Sequence, residues 1–374
     1  MAFSAFSNCG SRNVPIAGDF KKWPAGCFWG GAVFRVILMA LMVSVTAVPA
    51  ARGGELITEY NIPQKESYPT AITATADVNI WFIEFNANAL VSFNTELGVM
   101  KEFPIPSEKS HAMDIAADKD GILWLAEQDV NALGRFDPRT KTFKEYVIPF
   151  KNVNPIVVYA ARNGDIWTLG WNNNMLVRFR PGTEKFENIH IPTPDASGYD
   201  LTEDHAGNIW FVERGGNKIA MYDPEKKKFR EWAIAPSLQS ALGTVIDSKG
   251  MVWYLKLVDN QIVRFDPNTG KHDTFELPKN KGTKEIAIDQ SDNIWMVQST
   301  DNRLLCFNNK TASIQTFDLS EGESKPNSLA IDRKGRVWFT ESGTGKLGML
   351  DTAKLLDQSK KMRVKIKTTE KLFR

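Results

Sequence analysis

Several motifs that would assign this chain to a well-known enzyme class are missing. The sequence contains no Gly-x-Ser-x-Gly nucleophile motif, no phosphate-binding loop and no Cys/His spacing of a zinc site. No stretch after residue 50 has a convincing helical period of apolar residues. These absences argue against a serine hydrolase of the α/β type, a P-loop nucleotide-binding protein and a helical bundle.

Cysteine and net charge are also low. Of the three cysteines, Cys9 and Cys27 lie in an N-terminal segment that is predicted below to be removed, which leaves Cys306 alone. A single cysteine cannot form an internal disulfide. The formal net charge is only +2, and most basic residues of the N-terminal segment are not balanced there, so the remaining chain is close to neutral. Charge therefore gives no argument for nucleic-acid binding.

The N-terminal segment has the pattern of an export signal. Lys21, Lys22 and Arg35 precede an apolar run from Val36 to Val48, and small residues follow it. The run is shorter than the roughly 20 residues that a membrane-spanning helix needs. We therefore predict a cleaved signal peptide over residues 1–50 and a bacterial periplasmic or secreted protein without stable membrane insertion. An uncleaved anchor, or a true start downstream of the first Met, are the alternatives.

The most regular feature that is present is a tryptophan about every 43 residues. The seven members are Trp81, Trp124, Trp167, Trp210, Trp253, Trp295 and Trp338. A constant period of this length indicates a repeat architecture. One large side chain per repeat is expected to pack in the core between neighbouring repeats, where an indole buries about 150–250 Å².

Each repeat divides into four short segments rich in β-branched and aromatic residues, bounded by Gly, Pro, Asn or Asp. Such segments are typical of strands separated by turns. Four strands in each of seven units predict an all-β, seven-bladed β-propeller over residues 55–351, followed by a basic tail over 352–374. The WD40 signature is missing, so another propeller lineage is expected. A linear β-solenoid is the structural rival.

The chain ends indicate how the ring closes. The last repeat lacks the fourth segment, whose form Phe-x-Glu-Tyr-x-Ile-Pro is echoed near the N-terminus from Ile57 to Pro63. We predict that this N-terminal strand completes the last blade and removes two open sheet edges. The alternating segment from Met362 to Ile366 is a competitor for the same place.

Two further repeat positions are predicted to be structural. An Asn, or Gly345 in the last unit, follows each Trp by seven residues and tolerates the left-handed backbone of a turn. An Asp ends the first segment in most units and is expected to fix the next turn. These residues are Asn88, Asn131, Asn174, Asn217, Asn260 and Asn302, and Asp118, Asp204, Asp247, Asp289 and Asp332.

Positions that converge from different blades are the candidates for chemistry. The residue three after the repeat Trp is a glutamate in four units, Glu84, Glu127, Glu213 and Glu341. Four carboxylates in a ring could bind Mg²⁺ or Ca²⁺ through hard oxygen ligands, or form a solvated rim. Arg214 and Lys256 would neutralise part of this charge.

The residue eleven before each Trp begins the first strand and faces the same end of the channel. This ring contains Thr70, Met113, Ile156, Tyr199, Leu242, Lys284 and Asn327. Its hydroxyl, aromatic, cationic and amide groups predict ligand binding through Thr70, Tyr199, Lys284 and Asn327, with Arg214 and Trp171 beside them. His111 lies two residues before the ring and is the candidate general base by elimination.

The units Gly207–Glu213 and Gly335–Glu341, and the Glu-Tyr-x-Ile-Pro segments at residues 59–63 and 145–149, resemble the streptogramin (virginiamycin B) lyase family over about residues 55–351. The resemblance implies a seven-bladed propeller. It also implies magnesium-assisted elimination that opens a cyclic depsipeptide.

The family's catalytic residues are not carried over onto this chain. Thr70 and Asn327 occupy the slots of its histidines, and Ser342 occupies the slot of its glutamate. The sequence therefore leaves two hypotheses open for an exported monomer. One is metal-assisted elimination or lactone opening, with His111 as base. The other is a non-enzymatic propeller that binds a small molecule, a cyclic peptide or a partner protein.

Overall fold

The computed structural model describes residues 45–47, 50–51, 56–64, 66–171, 173–234, 241–278, 282–319 and 322–355. Thirty strands and one helical turn at 352–355 make up its regular structure. Seven four-stranded antiparallel sheets form a seven-bladed β-propeller, as the tryptophan period predicts.

Blade 1 contains β4 (Pro69–Ala74), β5 (Asn79–Glu84), β6 (Ala89–Asn94) and β7 (Val99–Pro104). Blade 2 contains β8 (Ala112–Ala117), β9 (Leu123–Glu127), β10 (Ala132–Asp137) and β11 (Thr142–Val147). Blade 3 contains β12 (Pro155–Ala160), β13 (Ile166–Gly170), β14 (Met175–Arg180) and β15 (Lys185–His190). Blade 4 contains β16 (Gly198–Glu203), β17 (Ile209–Glu213), β18 (Lys218–Asp223) and β19 (Lys228–Ala233).

Blade 5 contains β20 (Ala241–Ile246), β21 (Val252–Lys256), β22 (Gln261–Asp266) and β23 (Lys271–Glu276). Blade 6 contains β24 (Thr283–Ile288), β25 (Ile294–Gln298), β26 (Arg303–Asn308) and β27 (Ser313–Asp318). Blade 7 contains β28 (Pro326–Ile331), β29 (Val337–Glu341), β30 (Lys346–Leu350) and, from the N-terminal side, β3 (Ile57–Asn61). The first strands of successive blades are neighbours around the whole ring, and β28 lies beside β4.

The ring closes through the N-terminal strand, which confirms the prediction. Strand β3 pairs antiparallel with β30, and Ile57 lies opposite Leu350. The Lys346 ammonium donates to the Glu59 carboxylate at 3.0 Å, and both side chains are buried. Two further short strands extend sheet edges, β1 (Val45–Ala47) on β7 and β2 (Ala50–Ala51) on β3.

Most of the predicted signal peptide, most of the predicted basic tail and the competing segment Met362 to Ile366 lie outside the described residues. Within the described part of the chain, no helix has the length and apolar character needed to cross a membrane.

The repeat tryptophans fill the boundaries between blades. All seven indoles are buried, and each belongs to an apolar cluster that contains side chains of the next blade. Trp124 packs against Phe179 of blade 3 with ring centroids 5.8 Å apart, and Trp253 packs against Phe307 of blade 6 at 5.3 Å. Trp338 likewise packs against Phe93 of blade 1 at 5.5 Å, so the seam has the same contact as the other boundaries.

The aspartate that ends the first strand has a double role. In blade 5 the Asp247 carboxylate accepts the Trp253 indole N–H at 2.9 Å and the backbone N–H groups of Lys249 and Met251 at 3.0 Å. The other four predicted aspartates accept the indole N–H of their own blade in the same way. Each aspartate therefore shapes its turn and satisfies the one polar group of a buried indole.

The predicted asparagine turns are also confirmed. Each of the six asparagines has a positive φ between 52° and 58°, and Gly345 has φ 64°. Asn131 also donates its side-chain amide to the carbonyls of Ile148 and Phe150, both at 3.0 Å, and accepts the Asn154 backbone N–H at 2.9 Å. The turn after the second strand is thus tied to the connection that leads into the next blade.

Replacement of a boundary indole should weaken the whole ring. We expect Trp253→Ala to lower the free energy of unfolding by about 3–5 kcal/mol, because a fully buried side chain would leave a cavity between blades 5 and 6. Trp171, which is 42% exposed, is the matched control, and Trp171→Ala should change stability by no more than about 0.5 kcal/mol. Denaturant unfolding of both variants checks this, and equal losses would contradict the boundary role.

Candidate functional site

The candidate site lies at the end of the channel where the first strands begin. Each first strand contains a register shift relative to its second strand, in every one of the seven blades. A bulge of this kind inserts an extra residue and redirects side chains. The starts of the first strands and the turns after the second strands therefore surround the channel mouth.

Tyr199 and Arg214 are brought together in blade 4. The guanidinium carbon lies 5.7 Å from the centre of the Tyr199 ring, within the range of a cation–π interaction. Burial, and then the nearby Glu285 carboxyl, raise the pKa of Tyr199 well above its usual value. The Tyr199 hydroxyl is therefore neutral at physiological pH and reaches toward the first strands of other blades.

Lys284 and Asn327 are brought together across the boundary of blades 6 and 7. The Lys284 ammonium donates to the Asn327 side-chain oxygen at 3.0 Å. The Lys284 side chain is exposed, yet the surrounding protein displaces enough water to lower its pKa. Thr70 lies further along the ring, where its carbonyl accepts the Thr340 hydroxyl at 2.6 Å. The hydroxyl oxygen of Thr70 is buried and has no hydrogen-bond partner among the described residues.

His111 belongs to a different part of the mouth. Its imidazole stacks on Phe85 with centroids 5.0 Å apart, and Phe85 in turn contacts Tyr68. The His111 Nδ1 atom and the Asp129 carboxylate are in close hydrogen-bonding contact. Because Asp129 fixes Nδ1, Nε2 is the nitrogen that could exchange a proton with a bound molecule.

Apolar side chains are exposed at this end of the blades. Trp171 is 42% exposed on the turn that follows β13, and Met113, Tyr68 and Val258 are similarly exposed near the mouth. Among the described residues, the remaining exposed large hydrophobic side chains are Leu97 and Val147, away from the mouth. Apolar groups in contact with water beside a channel are typical of a binding surface.

The four predicted metal-binding glutamates are not brought together. Each is buried within its own blade, with an exposed fraction of at most 2%. Glu127 lies across Gly134 of the third strand, since a Cβ atom added to that glycine would come within 2.2 Å of the Glu127 carboxylate. The side chain therefore extends outward toward Glu145 on the fourth strand, and not into the channel.

The same pairing recurs in every blade that has a glutamate at this position. The pairs of second-strand and fourth-strand residues are Glu84 with Glu102, Glu127 with Glu145, Glu213 with Glu231, and Glu341 with Glu59. In the other three blades neither position carries a glutamate; their pairs are Gly170 with Asn188, Lys256 with Thr274, and Gln298 with Thr316. The glutamates thus occur as intrablade pairs.

The glutamate pairs supply few of the oxygen ligands that the predicted cation would need. The described residues contain no group of three or more His, Cys, Asp or Glu side chains placed to hold a metal ion. Two carboxylates per blade also offer fewer oxygen ligands than Ca²⁺ or Mg²⁺ prefers. Binding of Mg²⁺ or Ca²⁺ by the four glutamates stays a prediction.

Proton binding gives the carboxyl pairs a simpler chemistry. Burial, and then repulsion from Glu145, raise the pKa of Glu127 to about 9, and the corresponding effects raise the pKa of Glu84 to about 8. In blade 7, where Lys346 lies beside the pair, burial raises the pKa of Glu341 only to about 7. A pair without a lysine therefore carries a proton at neutral pH.

A second set of carboxyl groups was missed by sequence reasoning. Asp114, Asp200 and Glu285 lie one residue after the predicted ring, in the first strands of blades 2, 4 and 6. Each crosses to the following blade. Asp114 accepts the Val158 N–H at 2.9 Å, Asp200 accepts the Thr244 N–H at 2.6 Å, and Glu285 accepts the Ser328 hydroxyl at 2.9 Å.

These three half-buried side chains, hereafter the carboxyl belt, influence one another across the channel. Burial is the main cause that raises the pKa of Asp114 to about 7, of Asp200 to about 6 and of Glu285 to about 8. For Asp114 the charge of Asp200 adds to this shift, and for Glu285 the charges of both aspartates add to it. The belt is therefore incompletely ionised near neutral pH.

A cleft of about 440 Å³ lies at the opposite end of blades 2 and 3. It is lined by turn residues that include Asp118, Lys119, Arg139 and Asn163, and by Arg135 of β10. Arg139 is paired there with Asp137 at 3.3 Å, and Lys119 with Asp120 at 2.7 Å. None of the predicted site residues lines this cleft, so it provides control positions that are remote from the mouth.

The fold defines a seven-bladed β-propeller, and comparison with known proteins adds the family. Residues 50–253 match the virginiamycin B lyase family, and the chain belongs to this family. A streptogramin B lyase structure superposes with a TM-score of 0.74 at 23% identity, covering 79% of this chain and 97% of the other. Virginiamycin B lyase from Staphylococcus aureus gives 0.73 at 22% identity, covering 79% and 98%.

Similarity extends to propellers of another kind. An extracellular domain from B. thetaiotaomicron, classed with a one component system, has a TM-score of 0.61 at 16% identity, covering 76% of this chain and 40% of the other. A search of curated proteins found no match. At these identities the structural neighbours establish the fold.

The buried pair in blade 2 should make stability depend on pH. Because the pKa of Glu127 is raised to about 9 in the folded protein, its contribution is fully present below about pH 4.5 and is lost as the pH rises toward 9. Each pKa unit corresponds to roughly 1.4 kcal/mol. We expect Glu127→Gln to flatten the decline of unfolding free energy between pH 5 and pH 9, measured by denaturant titration.

The control for this prediction is Glu341→Gln in blade 7. Lys346 already compensates that pair, so the substitution should flatten the pH profile less. An unchanged profile in Glu127→Gln would contradict the protonated pair.

Proposed function

We propose that this chain is an exported, monomeric propeller that binds a small or cyclic organic ligand at the channel mouth. The observation that supports this most directly is the convergence of exposed apolar side chains with Arg214 and Lys284 at one end of the ring. Ligand sites typically combine apolar surface with a few polar groups that fix orientation. Export is supported by the basic and apolar leader pattern of residues 1–50.

A neutral aromatic probe tests this function without any assumption about charge. We expect N-phenyl-1-naphthylamine to become fluorescent on binding the folded protein. Its affinity should fall at least about fivefold in Trp171→Ala and in Tyr199→Ala, because each removes an aromatic contact worth roughly 1 kcal/mol or more. Fluorescence titration gives the dissociation constants.

Leu97→Ala is the matched control, because Leu97 is 74% exposed on a turn at the other end of blade 1. Its substitution should leave the probe affinity unchanged. Equal losses in all three variants, or no binding to the wild-type protein, would contradict a site at the mouth.

Ring-opening elimination is a second candidate function, and the contact between His111 and Asp129 favours it. Asp129 holds the imidazole through Nδ1, and stacking on Phe85 fixes its plane. His111 could then remove a proton from a bound cyclic substrate through Nε2, while the leaving oxygen departs with the bonding electron pair. A lactone hydrolase would use the same base to activate water.

Quinupristin, the compound named with an inactive virginiamycin B lyase variant from Staphylococcus aureus, is a suitable substrate for this candidate. Elimination predicts a linear product of unchanged mass, whereas hydrolysis predicts the addition of water; chromatography with mass spectrometry separates these results. The product should be lost in His111→Ala and in Asp129→Asn by at least about a hundredfold. No product from the wild-type protein would exclude this reaction and leave the binding function.

A further inference from the structure

The channel mouth has two chemically different sides. Blades 1 to 3 present Tyr68, Phe85, Met113 and Trp171, and these side chains are aromatic or apolar. Blades 4 to 7 present Arg214 and Lys284, and Val258 is the exposed large apolar side chain among their described residues. A ligand that spans the mouth would meet an apolar surface on one side and positive charge on the other.

Arg214 and Lys284 have no carboxylate partner in the described part of the chain, a property they share with the exposed Lys109 and Lys151 on the connections into blades 2 and 3. Neither Arg214 nor Lys284 forms an ion pair with any of the described residues. Six neighbours of the mouth are paired: Lys256 with Asp259, Arg303 with Asp301, Lys325 with Glu323, Lys218 with Glu231, Lys346 with Glu59, and His111 with Asp129.

The local contacts of Arg214 make it the stronger of the two recognition groups. Its Nε atom is buried and lacks a hydrogen-bond partner, and the Tyr199 ring lies beside the guanidinium. Arg214 as a whole is only partly buried, and a guanidinium forms its strongest hydrogen bonds with carboxylates and similar anions. Lys284 donates one hydrogen bond to Asn327, and an ammonium group has three donors.

We propose that the ligand of the mouth is an organic anion, with a carboxylate or a chemically similar group bound between Arg214 and Lys284. Its aromatic or apolar body would lie toward Tyr68, Met113 and Trp171. This inference rests on the proposed binding function and adds the chemical class of the ligand. It differs from the elimination hypothesis because it concerns recognition and assigns no step to His111.

The carboxyl belt does not prevent anion binding at this position. The belt residues lie one position further along the first strands than the predicted ring, and two of them accept backbone N–H groups from the following blade. Glu285 accepts the Ser328 hydroxyl and is the belt residue next to Lys284. These hydrogen bonds satisfy the belt oxygens within the protein, so the donors of Arg214 and Lys284 stay available to a ligand.

A matched pair of probes tests the charge preference. The anion 8-anilinonaphthalene-1-sulfonate carries a sulfonate that N-phenyl-1-naphthylamine lacks, and both fluoresce when bound to apolar surface. We expect the anion to bind wild-type protein at least about tenfold more tightly than the neutral probe. Arg214→Gln and Lys284→Met should each reduce this ratio at least about fivefold.

Lys119→Met and Arg139→Met are the controls, because each removes one positive charge at the cleft on the opposite end of the blades. In both variants the ratio of anionic-probe to neutral-probe affinity should be unchanged. Thermal unfolding of every variant verifies that it is folded. The inference is overturned if the wild-type protein shows no anion preference, or if the preference survives in both Arg214→Gln and Lys284→Met. If either result is obtained but Trp171→Ala still weakens binding of the neutral probe, the anion inference fails and the proposed binding function stands. If Trp171→Ala does not weaken binding of the neutral probe, the proposed binding function at the mouth fails as well.

Discussion

The contact between one indole and an aromatic or aliphatic cluster of the next blade is the interaction on which this ring depends. A single blade has two apolar faces and cannot bury both, so its stability comes from its neighbours. The tryptophan fills each boundary, and in five blades an aspartate also satisfies its indole N–H. Seven equal boundaries close a circle, and the seam at blade 7 has the same contact through Trp338 and Phe93.

The ring fixes the position of the mouth, while local irregularity determines its chemistry. Every first strand contains a bulge, and the bulge allows neighbouring residues such as Lys284 and Glu285 to take part in different contacts around the channel. The carboxyl belt links neighbouring blades by hydrogen bonds to the next first strand. Asp114 links blades 2 and 3, Asp200 links blades 4 and 5, and Glu285 links blades 6 and 7. The proposed ligand-binding residues therefore lie next to first strands that are hydrogen-bonded to one another across the blades.

The sequence predicted the architecture well because the fold repeats. The burial of Trp253, the left-handed turn at Asn131 and the pairing of Ile57 with Leu350 all follow from one pattern repeated along the chain. The side-chain directions were harder to predict. The repeat position three residues after the tryptophan placed Glu127 beside the channel, whereas the absence of a side chain at Gly134 allows Glu127 to lie across the sheet.

The carboxyl belt was missed for the same reason. Alternation places Asp114 on the opposite side from Met113, but the register shift between Ala112 and Asp114 removes that rule at the start of β8. A bulge is set by pairing with the next strand and has no sequence signal as strong as the tryptophan period. The acidic residue ten before Trp in alternate blades was nevertheless visible, and it is the pattern that could have found the belt.

Closure by β3 has a consequence for the order in which the protein is made. The strand that completes blade 7 leaves the ribosome before any other strand of the seven blades, yet its partner β30 is synthesised nearly three hundred residues later. The nascent chain can stack early blades as they emerge, but it cannot join its ends until translation is almost complete. A product that ends before β30 would leave β3 without its partner, so blade 7 gains its outer strand only after β30 has been made.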